Sequence, residues 1–132
     1  MTVNIFLVTH EKVGSSLLKV ISKTFGELPL PAKAIAIDYQ CDPEKWVLKL
    51  CKLTKGLAQN DEVLVLTDVP GSTPCKIAQK FSHLCHNDHV KVVAGINLPM
   101  LMRIMNYPSL SLKQLAQKAL SGGKEGIVSL EE

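Results

Sequence analysis

Apolar positions in this chain follow two rhythms. Residues 3–8 form an apolar run broken only by Asn4, the pattern of a strand buried on both faces. After Gly14 the period changes: Leu17, Leu18, Val20, Ile21 and Phe25 recur at helical spacing, and Gly26 supplies a stop. Pro29 and Pro31 mark a loop, and residues 34–37, Ala-Ile-Ala-Ile, predict a second strand ending at Asp38. Asp42 before Pro43 is an N-cap followed by a first-turn proline; Trp46, Val47, Leu50, Leu53 and Leu57 give that helix its apolar face. Residues 62–67 predict a third buried strand ending at Asp68. The turn Pro70-Gly71-Ser72 follows, and Thr73-Pro74 repeats the cap-plus-proline signature for a helix through Ile77, Ala78 and Phe81 to about His86. Residues 90–94 predict a fourth strand closed by Gly95, and Asn97-Leu98-Pro99 opens a helix. Residues 112–120 predict the last helix, stopped by Gly122-Gly123, and residues 126–130 a short final strand.

Strands alternating with helices imply an α/β fold: a doubly wound, mostly parallel sheet with right-handed crossovers and helices on both faces. Four short βα units suggest the order 2-1-3-4, with one domain spanning residues 1–132. In such sheets the ligand lies beyond the carboxyl ends of strands 1 and 3, where the winding reverses.

Composition narrows the function. The 132 residues are 46% hydrophobic and 20% charged, which suits a packed globule and not a disordered chain. No apolar run is long enough to span a bilayer, and the N-terminal residues lack the basic segment of a signal peptide, so they read as a strand. The net charge of +3 comes without a Lys/Arg block, and only 5% of residues are aromatic, which argues against a nucleic-acid partner. Cys41, Cys51, Cys75 and Cys85 are widely spaced with no C-x-x-C, and read as reduced cytosolic thiols.

Strand 1 ends at Thr9-His10 and strand 3 at Thr67-Asp68. If those strands are neighbours, His10 and Asp68 emerge side by side. A carboxylate accepting from one imidazole nitrogen fixes the tautomer and leaves the other nitrogen as a nucleophile. Helix N-termini after Gly14 and at Thr73 favour an anion, phosphate above all. The constellation suggests a phosphohistidine site, although on spacing alone the plainer reading, His10 as a polar loop residue after a strand, is favoured.

Three motifs go further: Ile5-Phe-Leu-Val-Thr-His10, Leu64-Val-Leu-Thr-Asp68-x-x-Gly71-x-Thr73-Pro74, and Val93-Ala-Gly95-Ile-Asn97-Leu-Pro99-Met-Leu101. With the late Gly123-Lys-Glu-Gly126-Ile segment, the chain resembles the IIA component of the mannose-family (mannose/fructose/sorbose) phosphoenolpyruvate-dependent sugar phosphotransferase system. The resemblance implies a cytoplasmic phosphocarrier with no metal and no cofactor. It implies that His10 is phosphorylated and Asp68 orients it, with Gly71, Ser72 and Thr73 as the phosphate-binding turn. The implied donor is the histidine phosphocarrier protein and the implied acceptor a IIB component. A homodimer formed by exchange of the strand at residues 126–130 is also implied. A stand-alone regulatory module, in which the phosphorylation state of His10 governs partner binding without sugar transport, fits the same residues.

The chain departs from that family at three places. Glu11 stands where the family has glycine after the histidine. Ser72 replaces the second glycine of the turn, and would be strained if the position needs positive φ. Lys76 replaces an asparagine and would attract a phosphate or an acidic partner. Elsewhere, His83, Cys85, His86 and His89 place four soft-metal ligands within seven residues, at a spacing that fits no standard zinc motif. Cys75 near a helix N-terminus reads as a packed thiol, and Met100, Met102 and Met105 as core or dimer surface. A receiver domain would need an acidic pair after strand 1, and a flavodoxin a Ser/Thr/Gly-rich phosphate loop there. Thr9-His10-Glu11 and Ser15-Ser16 meet neither requirement.

Overall fold

A computed structural model describes residues 2–57, 60–85 and 87–131. Its elements alternate in chain order: β1 (Val3–His10), α1 (Val13–Phe25), β2 (Ala32–Ile37), α2 (Pro43–Thr54), β3 (Glu62–Thr67), α3 (Thr73–Cys85), β4 (Val90–Ala94), α4 (Leu98–Met105) and α5 (Leu112–Glu125). A short 3₁₀ turn, Asn87–His89, leads into β4. The four strands form one parallel sheet in the order β2-β1-β3-β4. The expected α/β architecture and strand order are therefore observed.

Alternation along the strands divides the apolar side chains into two layers, as the pleat requires. Ile5 and Leu7 of β1 with Leu64 and Leu66 of β3 face Ile21, Leu101, Ile104 and Leu115, which come from α1, α4 and α5. Phe6 and Val8 with Val63 and Val65 face Val47, Leu50, Ile77 and Phe81, which come from α2 and α3. Both central strands are thus apolar on both faces, which explains their continuous hydrophobic runs. Met100 and Met105 join the first layer, while Met102 is exposed.

Helix starts follow the sequence signals. Asp42 accepts from the Glu44 N–H at 3.1 Å, Asn97 from the Met100 N–H at 2.9 Å, and Ser111 forms a reciprocal capping box with Gln114. Helix α3 begins one position earlier than expected. Thr73 is its first helical residue, and Ser72 takes the cap position, its carbonyl accepting the Lys76 N–H at 2.9 Å. The strand β2 begins at Ala32, two residues before the predicted start.

Three expectations need correction. Helix α5 does not stop at Gly122-Gly123 but runs to Glu125. The two glycines act as contact surface: a Cβ on Gly122 would meet the Arg103 Cβ and the Pro99 carbonyl, and one on Gly123 the Met100 side chain. Past α5, residues 127–131 form no strand: the four-stranded sheet is complete without them, and a strand-like pattern needs a pairing partner to become one. The cysteines read as reduced thiols are not all so: Cys51 at the end of α2 and Cys85 at the end of α3 form a disulfide with their Cα atoms 5.9 Å apart. The physical reason is the parallel packing of α2 on α3, which stacks two residues distant in sequence. Cys41 and Cys75 are free.

Candidate functional site at the carboxyl edge of the sheet

The two central strands deliver their last side chains to one place. His10 closes β1, and Asp68 follows β3 directly. The Asp68 Oδ2 accepts the His10 backbone N–H at 2.9 Å and lies 2.8 Å from His10 Nδ1, while Oδ1 accepts the Val69 N–H at 3.0 Å. A carboxylate with those partners is an acceptor only, so Nδ1 is the ring nitrogen that carries a proton in this contact. Burial alone would push Asp68 up. The backbone and ring hydrogen bonds from His10, its charge and the Val69 N–H together outweigh that and hold the carboxyl below the ordinary aspartate value. The pair is partly open to solvent, with 23% of the His10 side chain and 13% of the Asp68 side chain exposed.

The floor of the site is backbone. Thr9 is fully buried, and its Oγ1 accepts the Gly14 N–H at 2.8 Å, which ties the start of α1 to the end of β1. A Cβ on Gly14 would lie 3.0 Å from that Oγ1 and 3.1 Å from the Leu7 Cβ, so glycine lets the helix start close to the strand. Between them the chain turns sharply. Glu11 has φ 44°, the one non-glycine residue with positive φ among those described, and its N–H donates to the Ile37 carbonyl at 2.9 Å.

The turn after β3 carries Gly71, Ser72 and Thr73. Gly71 has φ 79°, a conformation glycine adopts without strain. Ser72 is not in the positive-φ region, so the strain considered for it is absent and falls on Glu11. Its N–H and hydroxyl both donate to the Val69 carbonyl, at 3.1 and 2.6 Å, which closes the turn. His10 and Asp68 touch; Gly71, Ser72 and Thr73 make no hydrogen bond to either. Lys76 lies one turn into α3 and, with Thr73, Lys80 and His83, lines a groove of about 540 Å³ between α2 and α3.

The His83, Cys85, His86 and His89 cluster does not assemble as four ligands. Cys85 is bonded to Cys51, His86 lies outside the described residues, and no group of three metal-ligating side chains converges among the described ones. Cys75 is buried, as a packed thiol should be.

One neighbour of His10 was missed in the sequence. Tyr39, in the loop after β2, sets its ring 5.6 Å from the imidazole, centroid to centroid, at an interplanar angle of 35°. The signal was available. In the order 2-1-3-4 the loop after strand 2 opens on the same edge as His10, and Tyr39 follows Asp38 there.

Fold and site together define a switch-point α/β protein with a histidine held by an aspartate. A family model described as "PTS system fructose IIA component" matches residues 4–120. The chain belongs to this family, the mannose-family IIA components of the sugar phosphotransferase system. It is 30% identical over 141 residues to the PTS system mannose-specific EIIAB component of Escherichia coli (strain K12), and equally to that of Shigella flexneri. Those matches take in 99% of this chain but 40% of the relatives, which are much longer proteins. Among solved structures, the mannose/sorbose specific IIA subunit from Enterococcus faecalis superposes with a TM-score of 0.87 at 24% identity, covering 100% of this chain and 97% of that one. The EIIA component from Streptococcus agalactiae gives 0.81 at 24% identity, covering 96% of each chain. These likenesses establish the same fold. No helix among the described residues is long and apolar enough to cross a membrane.

Proposed function

We propose that this chain is a phosphocarrier in sugar uptake, and that His10 Nε2 is the atom that carries the phosphoryl group. The observation that supports this best is the 2.8 Å contact between His10 Nδ1 and Asp68 Oδ2. It commits the proton to Nδ1 and leaves Nε2 as the nucleophile on a partly exposed ring. In this reading Nε2 attacks the phosphorus of a phosphohistidine on the histidine phosphocarrier protein. The new N–P bond forms as the donor's N–P bond breaks, and the donor imidazole leaves with its electron pair. The His10 ring, with a proton on Nδ1 and a phosphoryl on Nε2, then carries positive charge beside the Asp68 carboxylate, which offsets it. Reversal of the same step onto a histidine of a IIB component returns His10 to its starting form. Since proton movements are minor, alignment and charge do the work.

The turn Gly71-Ser72-Thr73 and the first N–H groups of α3 are proposed to receive the phosphoryl oxygens, and Lys76 adds positive charge one turn on. The reading needs no metal or cofactor. It places the protein in the cytoplasm, where its donor would be found. A homodimer fits the C-terminal segment. Ile127, Val128 and Leu130 are 77%, 68% and 91% exposed, an apolar stretch that adding to a partner's sheet edge would cover. Truncation after Gly126 should then shift the native mass from dimer to monomer.

The test of the relay is intact-mass spectrometry after incubation with phosphoenolpyruvate, enzyme I and the histidine phosphocarrier protein. One acid-labile phosphoryl adduct is expected on the wild type and none on His10→Ala. An unmodified wild type, under conditions that phosphorylate a known family member, would overturn the reading.

A further inference from the structure

We infer that Tyr39 is a positioning residue for His10, holding the imidazole plane so that Nδ1 stays on Asp68 and Nε2 stays presented to the incoming phosphorus. A single hydrogen bond from Nδ1 restrains one corner of the ring, and rotation about the side-chain bonds can still carry Nδ1 off Asp68. The second restraint must bear on the ring itself, and the Tyr39 ring does so at 5.6 Å and 35°, inside the range of tilted aromatic pairs. His10 has no other ring partner among the described residues.

The scaffold behind Tyr39 argues that its place is built. His10 is opposite Ile37 in the β1–β2 register, and the Glu11 N–H donates to the Ile37 carbonyl, so the two loops leave the sheet tied together. Just beyond, Asp38 closes a tight turn around Tyr39. Its Oδ1 accepts the Gln40 N–H at 3.0 Å, and its carbonyl accepts the Cys41 N–H at 3.3 Å. Tyr39 is nonetheless 80% exposed, so it contributes little to the core. An aromatic side chain left in solvent on a pinned turn, with its ring on the proposed nucleophile, serves the site and not the fold.

The effect of Tyr39 on transfer rests on the phosphocarrier reading, whereas its effect on the ring does not, so two measurements separate them. The first is nitrogen NMR of His10 in the unphosphorylated protein. Wild type and Tyr39→Phe should show a single tautomer with Nε2 unprotonated, and Tyr39→Ala should show shifts averaged between tautomers. The second is rapid-quench transfer from the phosphorylated histidine phosphocarrier protein. For Tyr39→Ala the first-order constant at saturating donor should fall about three- to ten-fold with the half-saturating donor concentration unchanged, and Tyr39→Phe should restore it to within about two-fold. An unchanged tautomer in Tyr39→Ala overturns the inference even if wild type accepts phosphate. A loss confined to half-saturation overturns it too, since Tyr39 would then serve docking. Averaged shifts in a protein that accepts no phosphoryl group would uphold the positioning role and sink the phosphocarrier reading instead.

Discussion

Glu11 occupies a conformation that glycine holds without cost. Its φ of 44° lies in the left-handed region, where a side chain costs on the order of 1 kcal/mol. The family glycine noted at this position has its reason here: the chain must reverse between a histidine held against Asp68 and a helix start held against Thr9. Glu11→Gly is therefore expected to gain up to about 1 kcal/mol in urea unfolding, less what the looser unfolded chain takes back. The same variant removes a negative charge next to the proposed phosphoryl acceptor, so its transfer rate should rise; an unchanged rate would show that the Glu11 carboxylate is irrelevant to transfer. Asp68 carries a second expectation. Its folded pKa lies below the ordinary value, so its ionised form stabilises the fold above about pH 4, and that contribution is lost as pH falls through the lower folded value. Wild type should lose stability relative to Asp68→Asn over that acid range and not above it. In transfer assays Asp68→Asn should be slower by about a hundred-fold, because an amide can turn the imidazole to the wrong tautomer and orientation. His10 and Asp68 were legible because one ends and the other directly follows a strand whose hydrophobic run announces it. The strain at residue 11 and the tilt of Tyr39 were not, since both arise from how neighbouring loops meet.

At the scale of elements, local signals served well wherever the chain itself supplied the partner. The Asp42-Pro43 and Asn97-Leu98-Pro99 starts are read from caps that bond within three residues. The Gly122-Gly123 pair misled because glycine has two uses, and only the tertiary contact of α5 with α4 decides between them. That contact is testable. Gly122→Ala gains helix propensity of about 1 kcal/mol but drives a Cβ into the stem of Arg103, so a net loss of about 1–3 kcal/mol is expected. The measurement is chemical unfolding, with an exposed α5 residue such as Gln117→Ala as the control that gains or is neutral. Residues 126–130 show the opposite failure: a strand-like pattern without a strand, because the pattern names a preference and a strand also needs an edge to pair with.

Across the whole molecule, the Cys51–Cys85 bridge joins the two helices that cover one face of the sheet, over a separation of 34 residues. Spacing along the sequence hid it, since only the parallel packing of α2 and α3 brings the pair together. Thiol titration of the unfolded, unreduced protein should count two free cysteines, Cys41 and Cys75, and four after reduction. Cys51→Ser with Cys85→Ser should lower stability by about 3–4 kcal/mol on the loop-entropy model. The sheet order was legible for a simpler reason: runs apolar on both faces belong to interior strands, and β1 and β3 carry such runs. That placement also grades the site. The proposed dyad hangs from two strands that each have a neighbour on both sides, whereas Tyr39 follows β2, which lies at the edge. An edge strand opens at lower cost than one flanked on both sides, so a local opening at β2 would carry Tyr39 away while His10 and Asp68 remain joined. Such an opening would weaken the hold on the ring while leaving the pair intact, so the proposed transfer would slow on warming before it ceased.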